Sequence, residues 1–308
     1  MLARMLIDCG VYMGPPEAFT ESNHDNQEGY WEDQRFQSID QRLLETFGLS
    51  WDQVALPREW LQDPRIETLR ADARSAIDAN NAYQLWGWKD PRSCVTFSFW
   101  KDLIPKLSAV VLVRSPVEVA RSLMYRRHEI LPYDRGVELW AAYYLALQES
   151  LGGTPNLVVH SDALLAQPGK ELSRVCTFIG LPSAPETIAR AVESIRPNLS
   201  AGRSPDTPLK EALLPEQVKS LYADLCDRAG PVYRSLEVRS TTGLSAEVLR
   251  ALDRTDRILS YKTDELLELR ELLATCRADR EDLRSEIQKI VSTRWHRLGI
   301  GIRRFLRK

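Results

Sequence analysis

Two short, continuously apolar runs in the first part of the chain predict buried β-strands. One is Ala109–Val113 (AVVLV) and the other is Asn156–His160 (NLVVH). Runs of this length, rich in β-branched residues and without polar alternation, are typical of parallel strands covered on both faces. A third run, residues 83–89 (YQLWGWK), is rich in aromatic residues and predicts a further strand.

Apolar residues at helical spacing occupy the stretches between and after these runs. This alternation of strands and helices predicts an α/β fold, in which a parallel sheet carries helices on both faces. The predicted helices cover residues 35–47, 65–80, 93–104, 116–128, 136–151, 167–180, 185–195 and 215–229.

The composition changes near residue 240, so we expect a first domain over residues 1–240 and a helical remainder. Residues 243–290 carry heptads with mostly apolar residues at both seam positions, which predicts an α-helical coiled coil. The coiled coil predicts self-association, most simply a homodimer. One amphipathic helix folded onto the first domain is the alternative.

Residues 291–308 form a basic amphipathic tail. Trp295 and Phe305 are interleaved with arginines, and the segment holds no acidic residue. This pattern fits contact with a membrane surface or another polyanion. A solvated basic end of the coil is the alternative.

The overall composition excludes several classes of protein. The chain has 308 residues, 44% hydrophobic and 27% charged, and its net charge of −2 gives no general attraction for nucleic acid. Five scattered cysteines without a CxxC pair argue against a zinc site and favour a reduced, cytoplasmic protein. No apolar run is long enough to span a membrane, and the first residues do not resemble a signal peptide.

The residues that follow the AVVLV run are suited to binding a phosphate. Arg114 ends the strand, Ser115 can cap the next helix, and Pro116 fits its first turn. Ligands of open α/β sheets bind outside the carboxyl ends of the strands, where an anion meets free N–H groups. Ser122 shares a helix face with Ser115, so Arg114 and Ser122 form a candidate phosphate clamp. A chance match is the alternative, because the pattern is short.

A second basic element, Lys89-Asp90-Pro91-Arg92, ends the aromatic run. Because it follows a predicted strand, Lys89 is expected at the carboxyl rim of the sheet. The alternative is a surface turn with an internal pair between Asp90 and Arg92.

In these motifs the chain resembles the sulfotransferases that use 3'-phosphoadenosine-5'-phosphosulfate, in particular their bacterial branch. The resemblance covers roughly residues 1–200. It rests also on residues 26–51, with a GYWE turn and an FGLSW ending, and on residues 139–165, where an LWAAY helix precedes a strand.

The resemblance implies a P-loop-like fold and a role for each basic element. Arg114 and Ser122 are implied to hold the 3'-phosphate, and Lys89 to face the transferring sulfuryl group. Arg203, in a late basic loop, is implied to cover the same phosphate, with an ordinary surface loop as the alternative.

One departure from the family concerns its phosphate-binding loop, of the type Gly-x-x-Arg/Lys-Ser-Gly-Thr-Ser. This chain begins MLARML, which resembles the helix that follows that loop, and its glycines form no such loop elsewhere. We therefore expect that the first strand and the loop, roughly 10–20 residues, lie upstream of Met1.

Sulfuryl transfer to a hydroxyl requires a base for the hydroxyl proton. Glu32, in the GYWE motif, and His24 are the candidates. Glu32 is equally placed to cap the helix that begins near Arg35, and His24 could be a solvated loop residue.

We therefore expect a sulfotransferase with 3'-phosphoadenosine-5'-phosphosulfate as co-substrate and no metal. Its acceptor is expected to be a carbohydrate or glycolipid hydroxyl at the inner face of the membrane. A non-catalytic relative, acting as a coiled-coil scaffold at the membrane surface, is the main alternative. A nucleotide kinase is a third reading, and it needs the same missing loop.

Overall fold

The structure, a computed structural model, describes residues 1–20, 29–124, 131–181, 183–193 and 207–236. Within them the chain is mainly helical and contains a small two-stranded parallel sheet. The strands are β1 (Ala109–Val113) and β2 (Asn156–His160). The helices are α1 (Leu2–Asp8), α2 (Gln34–Thr46), α3 (Glu67–Asn80), α4 (Ser93–Leu103), α5 (Pro116–Met124), α6 (Tyr133–Leu151), α7 (Ser161–Ala166), α8 (Pro168–Phe178), α9 (Pro185–Glu193), α10 (Thr207–Ala212), α11 (Glu216–Arg228) and α12 (Pro231–Ser235).

The two strands have the bounds that the apolar pattern predicts, which confirms both. They pair in parallel from Ala109 opposite Asn156 to Val113 opposite His160. Two helices, α5 and α6, connect them. A parallel pair requires such a crossover, because the chain must return to the end of the sheet where β1 began before β2 can start.

The prediction of a strand over residues 83–89 is wrong. Among the described residues, this segment makes a single parallel bridge, between Trp86 and Tyr12. Tyr12 donates its N–H to the carbonyl of Leu85 and accepts from the N–H of Gly87. The ladder stops there, and the indoles of Trp86 and Trp88 pack instead against an aromatic cluster with Phe36. The sheet is therefore smaller than the sequence predicts.

Helices pack on both faces of this small sheet, although Leu112 of β1 stays 44% exposed. Alternate strand residues enter two separate cores because successive side chains of a strand point to opposite faces. One core joins Val111, Val113 and Val158 to residues of α4, α5, α6 and α11. The other joins Val110, Leu157 and Val159 to residues of α1, α8 and α9.

A third core lies between α2, α3 and α4, and it positions the segment that carries Lys89. Phe36, Phe99 and Trp100 are fully buried in it. The ring of Trp88 stacks on Phe36, with 4.8 Å between centroids, and lies 5.0 Å from Trp100. The residue before Lys89 is thus anchored between α2 and α4.

A close helix crossing positions α5, which begins where β1 ends. A Cβ atom at Gly136 of α6 would lie 2.8 Å from Cα of Ala120 in α5. Only glycine permits this approach. The crossing therefore fixes α5 against α6 and sets the direction in which the α5 N-terminus points.

The other predicted helices of the first domain are confirmed to within a few residues where the structure describes them. The predicted coiled coil over 243–290 and the basic tail over 291–308 lie outside the described residues. No helix in the described part of the chain is long and apolar enough to cross a bilayer.

Candidate active site

Lys89 and Glu32, 57 residues apart in the chain, form a direct ion pair. Nζ of Lys89 lies 2.6 Å from Oε1 of Glu32. The second carboxylate oxygen of Glu32 accepts a hydrogen bond of 2.8 Å from Nε2 of Gln37, on α2. Glu32 is buried, whereas the Lys89 side chain is 41% exposed. A partly accessible ammonium is therefore held by a buried, oriented carboxylate.

The cap of α2 is Asp33 rather than Glu32. The Asp33 carboxylate accepts the backbone N–H of Arg35 at 3.0 Å and is also paired with the Arg35 guanidinium. The interpretation of Glu32 as a capping residue is therefore wrong, because its neighbour fills that position. The Glu32 carboxylate therefore takes no part in the cap and contacts Lys89 instead.

The turn after Lys89 contains the internal ion pair that the sequence offered as an alternative. Oδ1 of Asp90 accepts the backbone N–H of Arg92 at 2.9 Å and its guanidinium at 3.0 Å. The turn is not a surface turn, however, since Asp90 is buried and Arg92 is largely so. Burial and the nearby carboxylate of Asp40 raise the pKa of Asp90 to about 7.

Asp40, on α2, is a buried carboxylate that the sequence reasoning missed. Its oxygens accept hydrogen bonds from Oγ of Ser93 (2.6 Å), Oγ1 of Thr96 (2.6 Å) and Nε1 of Trp100 (2.7 Å). Burial raises the pKa of Asp40 to about 6. The three hydrogen bonds favour the charged carboxylate and act in the opposite direction, but burial has the larger effect. The signal was present in the sequence, because Asp40 falls four residues after Phe36 on the apolar face of α2.

The second group of predicted residues lies at the carboxyl end of β1. Arg114 follows the strand directly, and its carbonyl oxygen accepts Nε1 of Trp140, on α6, at 3.0 Å. Its guanidinium lies 3.6 Å from the carboxylate of Glu118, one turn into α5, and its side chain is 34% exposed. Arg114 is thus accessible at the edge of the sheet, with one carboxylate nearby.

Ser115 is 2% exposed, and its hydroxyl has no hydrogen-bond partner among the described residues. It precedes Pro116, the first residue of α5. The backbone N–H of Val117, the next residue, lies in the first turn, where a helix offers no acceptor of its own. The β1–α5 junction therefore combines a guanidinium, an unpaired buried hydroxyl and a helix N-terminus, which together suit an anion.

Ser122 lies on the same face of α5 as Ser115, about two turns or ~10 Å further along the axis, and it is exposed. Three residues near Ser122 on α5 and α10 were not predicted from the sequence: Glu118, Arg121 and Thr207. The buried carboxylate of Glu118 lies 3.6 Å from Arg121 and is hydrogen-bonded to Thr207, which also accepts from Arg121 at 3.3 Å. The i, i+4 spacing of Arg114 and Glu118 was the available signal.

His24 and Arg203 lie outside the described residues, so their predicted roles are not placed. Among the residues that are described, no group of three or more His, Cys, Asp or Glu side chains could hold a metal ion. The β1–α5 junction fits a phosphate group, as the unpaired hydroxyl of Ser115 indicates. The described residues offer no glycine-rich loop that would fit a second phosphate.

Comparison with known proteins yields no match: no family model, no curated protein and no solved structure matches this chain.

Proposed function

We propose that the chain is a sulfotransferase that transfers a sulfuryl group from 3'-phosphoadenosine-5'-phosphosulfate to a hydroxyl of a carbohydrate or glycolipid. The proposed fold is a P-loop-like α/β fold. The single observation that carries the proposal is the β1–α5 junction, where the accessible Arg114 adjoins the buried, unpaired hydroxyl of Ser115.

The junction supports a site for the 3'-phosphate of the donor. A buried hydroxyl without a partner costs ~1–3 kcal/mol, and a phosphate oxygen would accept a hydrogen bond from it. Arg114 would supply a charge-assisted hydrogen bond, and the N–H of Val117 in the first turn of α5 would add to it. Glu118 opposes this binding, because it lies 3.6 Å from the same guanidinium.

The Lys89–Glu32 pair supports the chemical step. The donor supplies the sulfuryl group, and the acceptor hydroxyl forms the new O–S bond as the bond to the leaving phosphate oxygen breaks. Glu32, buried and oriented by Gln37, takes the hydroxyl proton. As Glu32 becomes neutral, the Lys89 ammonium is released from it and stabilises the negative charge on the leaving oxygen.

A non-catalytic sulfotransferase-like protein is the second candidate function. It is favoured by one observation, that both candidate cations among the described residues already have a carboxylate partner: Lys89 pairs with Glu32, and Arg114 with Glu118. In that case the first domain would be a binding module, and the predicted coiled coil would act as a scaffold at the membrane surface.

The test is transfer of ³⁵S from labelled donor to a panel of polysaccharide and glycolipid acceptors, with Lys89→Ala as the variant. Lys106→Ala, which removes an exposed lysine, is the matched control. We expect Lys89→Ala to lose transfer by on the order of 10²-fold or more, while the control transfers at the parent rate. Equal rates for Lys89→Ala and the parent would contradict the assigned role. A parent that binds adenosine 3',5'-bisphosphate yet transfers nothing to any acceptor would favour the second candidate.

A further inference from the structure

The hydrogen bonds that Asp40 accepts from the described residues all come from one helix. Ser93, Thr96 and Trp100 all belong to α4, and they occupy both oxygens of the carboxylate. Asp40 is fully buried and lies on α2, so these bonds join α2 to the first two turns of α4. A carboxylate at this end of a helix is also favoured by the helix dipole.

Ser93 extends this connection to the residue before Lys89. Its hydroxyl accepts a hydrogen bond of 2.9 Å from Nε1 of Trp88 and donates its own proton to Oδ2 of Asp40 at 2.6 Å. The direction of both hydrogen bonds is determined, because an indole N–H can only donate and a carboxylate can only accept. The order Trp88 to Ser93 to Asp40 is therefore fixed.

Lys89 is held to the same helix from its other side. Its ammonium contacts Glu32, and Glu32 is oriented by Gln37, three residues before Asp40 on α2. Residues three apart share a helix face. One face of α2 thus sets both the backbone that carries Lys89, through Asp40, and the carboxylate that Lys89 meets, through Gln37.

We propose that Asp40 is a positioning residue for Lys89, acting through the hydroxyl of Ser93 on Trp88. Its importance for sulfuryl transfer rests on the function proposed above, but the positioning itself does not. Thr96 and Trp100 also bond to Asp40, yet neither contacts Trp88 in a hydrogen bond. Loss of the Thr96 bond should weaken the packing of α2 on α4 without reaching Lys89, which separates positioning from a merely structural role.

The test observes the Lys89 ammonium directly. Lysines of the full chain are reductively ¹³C-dimethylated, and the Lys89 methyl resonance is assigned by its absence in Lys89→Arg. Glu32→Gln marks the resonance position of an unpaired ammonium. Ser93→Ala and Asp40→Asn are compared with Thr96→Val, the matched control, at a temperature where circular dichroism shows each variant folded.

We expect Ser93→Ala and Asp40→Asn to move the Lys89 resonance at least halfway to its position in Glu32→Gln, while Thr96→Val leaves it at the parent position. If Ser93→Ala does not fold, Trp88→Phe decides, because it keeps an aromatic ring and removes only the indole donor. An unmoved resonance in Ser93→Ala or Trp88→Phe, or an equal displacement in Thr96→Val, would overturn the proposal. No nucleotide or acceptor takes part, so failure here is distinguishable from failure of the proposed function.

Discussion

The same tripeptide, Asp-Pro-Arg, occurs twice in the described chain, in two different environments. In both copies the aspartate accepts the backbone N–H of the arginine two residues on, at 2.9 Å, and bonds to its guanidinium at 3.0 Å. Asp63-Pro64-Arg65 opens a short 3-10 turn before α3, and Asp90-Pro91-Arg92 stands before α4. The local sequence therefore determines the turn in each case.

Burial separates the two copies. The side chains of Asp63 and Arg65 are 24% and 58% exposed, against 0% and 20% for Asp90 and Arg92. Hydrogen bonds from Arg65 lower the pKa of Asp63. Burial and Asp40 raise the pKa of Asp90 to about 7. The tripeptide thus sets the geometry of the turn, while the burial of each copy sets the pKa of its aspartate.

The largest expected difference between the copies is in the pH dependence of stability. The pKa of Asp90 is raised in the folded state, so its contribution to stability is fully present below the unfolded value of about 4 and is lost as the pH rises through about 7. Raising the Asp90 pKa from about 4 to about 7 corresponds to on the order of 4 kcal/mol of stability. We expect the free energy of unfolding of Asp90→Asn to rise relative to the parent between pH 5 and pH 8.

Urea unfolding across this pH range measures the effect, with Asp63→Asn as the control. The pKa of Asp63 is lowered, so this control should show no relative gain as the pH rises. A constant difference between Asp90→Asn and the parent would show that Asp90 is ionised normally.

Loss of the arginine should also separate the copies. Arg92→Met leaves a buried carboxylate without its counter-ion, and we expect a loss of about 3 kcal/mol at pH 8, where Asp90 is charged. Arg65→Met should lower the urea midpoint far less, because its pair with Asp63 and its hydrogen bond to the Thr46 carbonyl are both exposed. Equal losses in the two variants would contradict the importance given to burial.

The smallest effect is that of Asp40 on Asp90. Since Asp40 raises the pKa of Asp90, Asp40→Asn should lower it. The ¹³C shift of the Asp90 carboxyl, followed by NMR as the pH is varied, measures this change. The pKa of Asp63 serves as the internal reference and should not move; an Asp90 pKa that stays at about 7 would assign the whole shift to burial.

Sequence patterns predict much of the fold, for a physical reason. β1 and β2 are short apolar runs with β-branched residues, and this local pattern predicts both with the right bounds, although Leu112 of β1 is 44% exposed. The run over residues 83–89 is apolar as well, but Tyr12 provides its single bridge, and its indoles fill a helical core instead. An apolar run alone does not distinguish a paired strand from an extended segment packed on helices.

The sequence predicts several residues of the candidate site, but it does not predict which of them contact each other. Arg114 and Ser115 could be found because they directly follow a predictable strand. The contact of Lys89 with Glu32 joins positions 57 residues apart and depends on how α2 packs on α4. The same holds for Asp90, whose pKa depends on Asp40, 50 residues earlier, so no local pattern reveals it.

The central proposal is that the β1–α5 junction binds a phosphate, and calorimetric titration of adenosine 3',5'-bisphosphate tests it directly. We expect the 308-residue chain to bind the nucleotide, and Arg114→Ala to lose affinity by roughly 10-fold or more. Glu118→Gln, which removes the opposing carboxylate, should bind a few-fold more tightly. A parent that gives no binding heat, or an Arg114→Ala variant that binds as tightly as the parent, would contradict the account.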